Sequence, residues 1–146
     1  MQIEAPGAGD RRWLALRRRL WPGSEAEHLR YMADAVARGQ FVRLAIAADG
    51  SAIAFVEASK RVDYVNGTNS SPVAFLEGLY VQPASRRNGV ARALVEAVEA
   101  WAKAQGCAEL ASDSPLDNAT AHAVHRALGF VETERVVYFC RGLQRT

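Results

Sequence analysis

Residues 86 to 91 read Arg86-Arg87-Asn88-Gly89-Val90-Ala91, a basic turn with one glycine between two periodic segments. Before it, Val73 to Val81 is an apolar, strand-like run that ends at Gln82-Pro83. After it, Val90, Ala91, Leu94, Val95, Val98, Trp101 and Ala102 recur at the i, i+3, i+4, i+7 spacing of one buried helix face. Strand, turn and helix in that order gather unpaired amide N–H groups at the positive end of a helix, where phosphates bind. Gly89 presents no Cβ to an approaching anion, and Arg86, Arg87 and Arg92 add positive charge. The turn is not a Walker A loop, because no Gly-Lys-Ser/Thr follows, and it lacks the glycines of a dinucleotide fingerprint. The bland reading of these six residues is an ordinary strand-to-helix turn with its arginines in solvent.

The elements around the turn follow from pattern and punctuation. Gln2 to Ala5 reads as a short strand, and Asp10 caps a helix through Leu20 with Trp13, Leu14 and Leu20 inward. Trp21-Pro22-Gly23 stops that helix, and Ser24-x-x-Glu27 opens a second whose stripe is Ala26, Leu29, Ala33 and Val36, up to Gly39. Phe41 to Ala48 and Ala52 to Ser59 form a hairpin across Asp49-Gly50, followed by a polar loop from Lys60 to Pro72. Gly106 ends the central helix, Cys107 to Ser112 is a short buried strand, and Asn118 caps a helix that ends at Leu128-Gly129. Thr133 to Cys140 is expected to close the chain as a strand. The order β-α-α-β-β-β-α-β-α-β implies an α/β (α+β) fold: one domain over 1–146, with helices on both faces of a mixed sheet whose central crossover is parallel.

At 146 residues the chain supports one sizeable core, and 49% apolar with 23% charged residues is ordinary for a soluble globular protein. A net charge of +2 argues for neither nucleic acid nor an anionic membrane, so Arg11, Arg12, Arg17, Arg18 and Arg19 read as a solvated helix face. Cys107 and Cys140 lack metal spacing and are expected as buried free thiols. No His/Cys/carboxylate set suggests a metal, and no Ser/His/Asp arrangement suggests a covalent intermediate. Neither a signal peptide nor an apolar run of membrane-spanning length is visible, which leaves the cytoplasm as the expected compartment.

Arg-x-x-Gly-x-Ala after a strand resembles the acetyl-CoA pyrophosphate loop of the GNAT superfamily of N-acetyltransferases, with Ala91 in place of the more usual last glycine. Asn118-x-x-Ala121-x-x-Val124-His125-x-x-x-Gly129-Phe130 resembles that superfamily's Asn-x-x-Ala-x-x-Leu-Tyr-x-x-x-Gly-Phe element. Leu20-Trp21-Pro22-Gly23, Tyr64-Val65-Asn66-Gly67, Phe75-Leu76-Glu77-Gly78, Ala111-Ser112-Asp113 and the run Leu128 to Val136 are similar to the aminoglycoside 6'-N-acetyltransferases of Gram-negative bacteria. These strings span the whole chain and include loop residues that folding alone does not demand.

The resemblance implies acetyl-CoA as co-substrate, no metal, and direct transfer to an amine in a ternary complex. It makes Leu79, Tyr80 and Val81 the strand edge that pairs with the pantetheine arm, and Arg86, Arg87, Asn88, Gly89, Val90, Ala91 and Arg92 the phosphate cradle. Asn118 would contact the pantetheine region. A polycationic acceptor calls for carboxylates and a flat surface, and Trp21, Tyr64, Glu77, Asp113 and Glu134 match acceptor positions of the family. Glu77 and Asp113 sit at the ends of strands expected to be neighbours, with Glu77 the first candidate for the base; otherwise both are solvent-facing acids. His125 stands where many members carry a tyrosine that protonates the departing thiolate, although a lone helix histidine, like His122 beside it, is more often structural.

Several relatives carry an acid where this chain has Asn69, which would face the acceptor less favourably. The resemblance also implies a homodimer. A different small cationic amine or a protein N-terminus remains the alternative acceptor, and a non-catalytic acyl-CoA-binding regulator is the reading from another class.

Overall fold

The computed structural model describes residues 1–144. Packing divides the chain into two compact units, Met1–Asp113 and a second that begins at Ser114. The first unit holds β1 (Gln2–Glu4), α1 (Arg11–Leu20), α2 (Glu25–Ala37), β2 (Phe41–Ile46), β3 (Ala52–Arg61), β4 (Val73–Val81), α3 (Val90–Ala104) and β5 (Leu110–Ser112). The second holds α4 (Ala119–Ala127).

Strand order in the sheet is β1-β2-β3-β4-β5, antiparallel throughout except for the parallel pair of β4 and β5. Alternation along β2 decides which helix covers which face. Val42, Leu44 and Ile46 pack with Phe55 against Trp13, Leu14 and Leu16 of α1 and Met32 and Ala35 of α2. Phe41 points the other way, its ring centroid 5.3 Å from that of Trp101 on α3. Helices therefore lie on both faces of a mixed sheet, as expected, and α3 buries Val90, Leu94, Val95, Val98 and Ala102. Each of the valine and leucine side chains contributes roughly 1.5–3 kcal/mol when fully buried.

The caps agree with the sequence. Asp10 accepts from the N–H groups of Arg12 and Trp13, and Ser24 Oγ accepts from Glu27 N at 3.1 Å. At the end of α3, Gly106 has φ 82° and Cys107 N–H donates back to Ala102 O.

Five expectations are corrected. Thr133 to Cys140 forms no strand; the five-stranded sheet of the described residues is complete without it, and Val137, Tyr138 and Phe139 are exposed. A sequence with strong strand propensity still needs a ladder partner to become a strand. Cys140 is consequently exposed, whereas Cys107 is buried, just ahead of β5 and not within a strand.

The inward face of α2 is His28, Met32 and Ala35, and Ala26, Ala33 and Val36 face solvent. His28 occupies the N-terminal end of that face because Arg17 meets it there. Arg17 itself is buried, unlike Arg11, Arg18 and Arg19, since it ion-pairs with Glu57 inside the α1–β3 layer.

Candidate active site

β4 pairs with β5 at Ala74↔Leu110, Phe75↔Ala111 and Leu76↔Ser112, and there the parallel ladder stops. From Gly78 to Val81, β4 is laddered to β3 alone among the described residues. One edge of Leu79, Tyr80 and Val81 is thus open to strand addition by an amide-bearing ligand.

At the same point β4 carries an extra residue. Glu57 pairs with Gly78 and Ala58 with Leu76, so Glu77 is the unpaired residue of a β-bulge. Bulges re-aim side chains, and this one turns Glu77 towards Ser59 and Arg61 of β3. Ser59 Oγ donates to Glu77 Oε1 at 2.6 Å and Arg61 Nη2 at 2.9 Å. Both bonds end on one oxygen. Asp113, the first residue past β5, is exposed. The sequence places Glu77 and Asp113 at neighbouring strand ends; Glu77 instead lies in the middle of β4, immediately after its last residue paired with β5, while Asp113 does follow the end of β5.

Beyond Val81 the chain makes a short turn, Pro83–Ser85, and enters the basic loop. Arg86 Nε donates to Val81 O at 2.8 Å, which fastens the loop to the end of the open edge. Arg87 and Gly89 both take positive φ, 64° and 77°, and Gly89 is the N-cap of α3 with no side-chain capping bond. The amides of Val90 and Ala91 stand in the first helical turn, where no i−4 carbonyl is available. A Cβ added to Gly89 would meet nothing within 4 Å, so the space above the helix start is open to a phosphate. Arg86, Arg87, Asn88 and Arg92 are exposed around it.

Trp21 caps α1 and is half-buried, with its ring edge-on to Phe55 at 5.9 Å. Its indole lies over Gly78, beside the bulge: a Cβ on that residue would fall 2.2 Å from Trp21 Cη2. Tyr64 is 74% exposed on the loop between β3 and β4. On the same loop the Asn69 amide donates to Glu109 Oε1 at 2.8 Å, and Ser70 Oγ bonds the same oxygen. These two contacts hold the Glu109 carboxyl below its ordinary range, the Ser70 hydroxyl contributing most. Glu109 precedes β5 and Asp113 follows it, so Asn69 is tethered at the opposite end of that strand, about 13 Å away at the usual rise per residue.

In the second unit Asn118 is the N-cap of α4, its Oδ1 accepting from Ala121 N at 3.0 Å. His125 Nδ1–H donates to Ala121 O at 2.7 Å, and the ring meets Phe130 edge-on at 5.3 Å. His122 donates from Nε2 to Pro115 O. Glu134 is exposed.

Ser59, Arg61, Tyr31, Glu57 and His28 are not singled out in the sequence, and Arg17 is read there as solvated. Glu57 had a signal: a lone carboxylate within the apolar run Ala52 to Ser59 demands a buried partner. Arg17 had one too, four residues after Trp13 on the inward face of α1. Among the described residues no helix is long and apolar enough to cross a membrane, and no three His, Cys, Asp or Glu side chains are grouped to hold a metal.

A family model, acetyltransferase (GNAT) family, matches residues 11–130. The aminoglycoside N(6')-acetyltransferase type 1 of Acinetobacter haemolyticus is 54% identical over 129 residues, 88% of this chain and 89% of the relative. The crystal structure of an apo aminoglycoside antibiotic 6'-N-acetyltransferase from Acinetobacter haemolyticus superposes with TM-score 0.94 at 51% identity, covering 99% of this chain and 100% of the other. AAC(6')-Iy in complex with the bisubstrate analog CoA-S-monomethyl-acetylneamine superposes with TM-score 0.86 at 44% identity, with 91% of each chain covered. A match that takes in the open edge, the basic loop and the acids together is decisive, and the chain belongs to the acetyltransferase (GNAT) family.

Proposed function

We propose that this protein transfers the acetyl group of acetyl-CoA to the 6'-amino group of aminoglycosides, a modification that would protect a cell from those antibiotics. The observation that carries the reading is the open edge of β4 beyond Leu76↔Ser112, with Glu77 and Asp113 next along the two parted strands and the N-terminus of α3 after the basic loop. The similar proteins named above supply the acceptor class.

Acetyl-CoA supplies an activated thioester, and this chain offers what such a ligand needs. The N–H groups at the start of α3 and Arg86, Arg87 and Arg92 suit its pyrophosphate, and the open edge of Leu79, Tyr80 and Val81 suits its amides. An N–H of that edge is also the donor for the developing oxyanion. Glu77 takes the ammonium proton on Oε2, directly or through water, because Oε1 is committed to Ser59 and Arg61. Asp113 holds the cationic amine. The amine nitrogen then bonds the carbonyl carbon while the carbon–sulfur bond breaks. By the resemblance, His125 is the candidate to protonate the sulfur, with its Nδ1–H held by Ala121 O.

Trp21 offers a flat face to a sugar ring. We place Tyr64, Asn69 and Glu134 among the acceptor contacts, and we infer that the chain works as one cytoplasmic domain in a homodimer. The exposed apolar residues Val137, Tyr138 and Phe139 support a partner surface. In that dimer, Tyr64 and Asn69 of one subunit would serve the acceptor pocket of the other.

An acceptor screen tests the function. Thiol release from acetyl-CoA should be fastest with aminoglycosides bearing a 6'-amine and absent with a 6'-hydroxyl analogue. Faster turnover with a polyamine or a peptide amine would move the protein to another acceptor, and no release with any amine would make it a regulator.

A further inference from the structure

Inside the layer between α1, α2 and β3 lies a polar cluster that the chemistry above does not use. Glu57 is fully buried, and its Oε2 accepts from Trp13 Nε1 at 3.0 Å and from Arg17 Nε at 2.8 Å. Arg17 Nη1 donates to His28 Nδ1 at 2.7 Å. A guanidinium can only donate, so that ring nitrogen accepts and the ring proton sits on Nε2. Two polar atoms of the cluster, Glu57 Oε1 and His28 Nε2, are buried without a hydrogen-bond partner. Stability does not explain the arrangement, because well-packed apolar residues commonly replace a buried ion pair at no loss.

What the cluster does hold is the Arg17 guanidinium in one orientation. Its Cζ lies 4.6 Å from the ring centre of Trp21 and 4.2 Å from that of Tyr31. Trp21 is further wedged between Phe55 and the bare backbone of Gly78, next to the bulge residue Glu77. Tyr31 stacks on the same guanidinium as Trp21 and is 46% exposed, and burial with the nearby Glu77 charge pushes its hydroxyl pKa up.

We propose that Arg17 is a positioning residue for the acceptor: fixed by Glu57 and His28, it sets the rings of Trp21 and Tyr31 as two walls beside Glu77, and Tyr31 is a further acceptor-binding residue. The proposal rests on the reading that Trp21 faces the acceptor. Arg17 touches no substrate; it acts through the two rings. Lysine cannot replace it, because an ammonium gives neither the flat stacking surface nor the forked bonds to Glu57 and His28.

The test is a mutant cycle on the full-length protein with an aminoglycoside and acetyl-CoA. The charge-balanced pair Arg17→Met with Glu57→Gln leaves no buried charge alone. It should raise the aminoglycoside KM by about ten-fold, the order for one lost ring contact at a binding site, with kcat and the acetyl-CoA KM within about two-fold. Tyr31→Ala should shift the same constant in the same direction. Adding Trp21→Ala to the charge-balanced pair should cost much less than Trp21→Ala costs alone, because Arg17 acts through that ring.

Full additivity, or an unchanged aminoglycoside KM in the pair, would overturn the proposal. If Trp21→Ala alone leaves the aminoglycoside KM unchanged, the placement of the acceptor fails first. Where the charge-balanced pair does not fold, Arg17→Lys takes its place, with a raised aminoglycoside KM expected and an unchanged one contradicting the role.

Discussion

Trp21 and Gly78 share one space: the indole Cη2 and Cζ2 atoms stand 2.2 and 2.5 Å from where a Cβ of residue 78 would lie. The glycine is there for the ring. Gly78→Ala must displace the indole, since the atoms it meets belong to a ring pinned by Phe55 and Arg17. Overpacking of this kind costs about 1–3 kcal/mol, and the melting temperature should fall accordingly. The aminoglycoside KM should rise while acetyl-CoA affinity moves much less. A variant with unchanged stability and unchanged KM would show that the ring is not fixed there.

At Gly89 the constraint is different. Nothing lies within 4 Å of its missing Cβ, but its φ is 77° and the uncapped start of α3 faces the same space. Gly89→Val therefore carries no packing clash, only the backbone strain of a β-branched residue at positive φ, about 1–3 kcal/mol. The circular dichroism spectrum should be retained and calorimetric acetyl-CoA binding should be lost. Retained affinity would remove this loop from the phosphate site.

Glu109 anchors the loop that carries Asn69. Its pKa is lowered from 4.5 by Ser70 and Asn69, so its contribution to stability is present above that value. It is lost as the pH falls through the lowered folded value. The difference in melting temperature between the native protein and Glu109→Gln should be small but present at pH 7 and should vanish in stronger acid. A difference that persists there would mean that the tether is not electrostatic.

Asn69→Asp adds a charge to the same loop. If that loop faces a polycationic acceptor, the aminoglycoside KM should fall roughly several-fold, the scale of one partly screened charge, with kcat nearly unchanged. A raised KM would show that repulsion from Glu109 dominates, and that the loop does not serve the acceptor.

Local signals made most of the fold legible. Asp10, Ser24 and Asn118 cap the starts of their helices, Gly106 follows the end of α3, and Asp49-Gly50 turns the hairpin. The open edge of β4 was implied by a strand running into a basic turn. The bulge at Glu77 was not, because it depends on how β4 registers against β3, which no local pattern records.

Long-range pairing also explains the other misses. Arg17 and Glu57 are 40 residues apart, and the rule that arginines face solvent holds only until a buried carboxylate meets one. At Thr133 to Cys140 propensity misled in the opposite direction: a strand-like composition had no strand to join among the described residues.

The central claim is that the acceptor amine is handled at the bulge where β4 parts from β5. Glu77→Gln measures it most directly, since it keeps an oxygen for Ser59 and Arg61 and removes only the proton-accepting charge. Steady-state turnover of a 6'-amino aminoglycoside and calorimetric acetyl-CoA affinity should be read on the same preparation. The account predicts turnover down by about 100-fold or more, the usual worth of a positioned acid–base group, with acetyl-CoA affinity within about two-fold. Turnover at the native rate, with the cofactor bound as before, would contradict it.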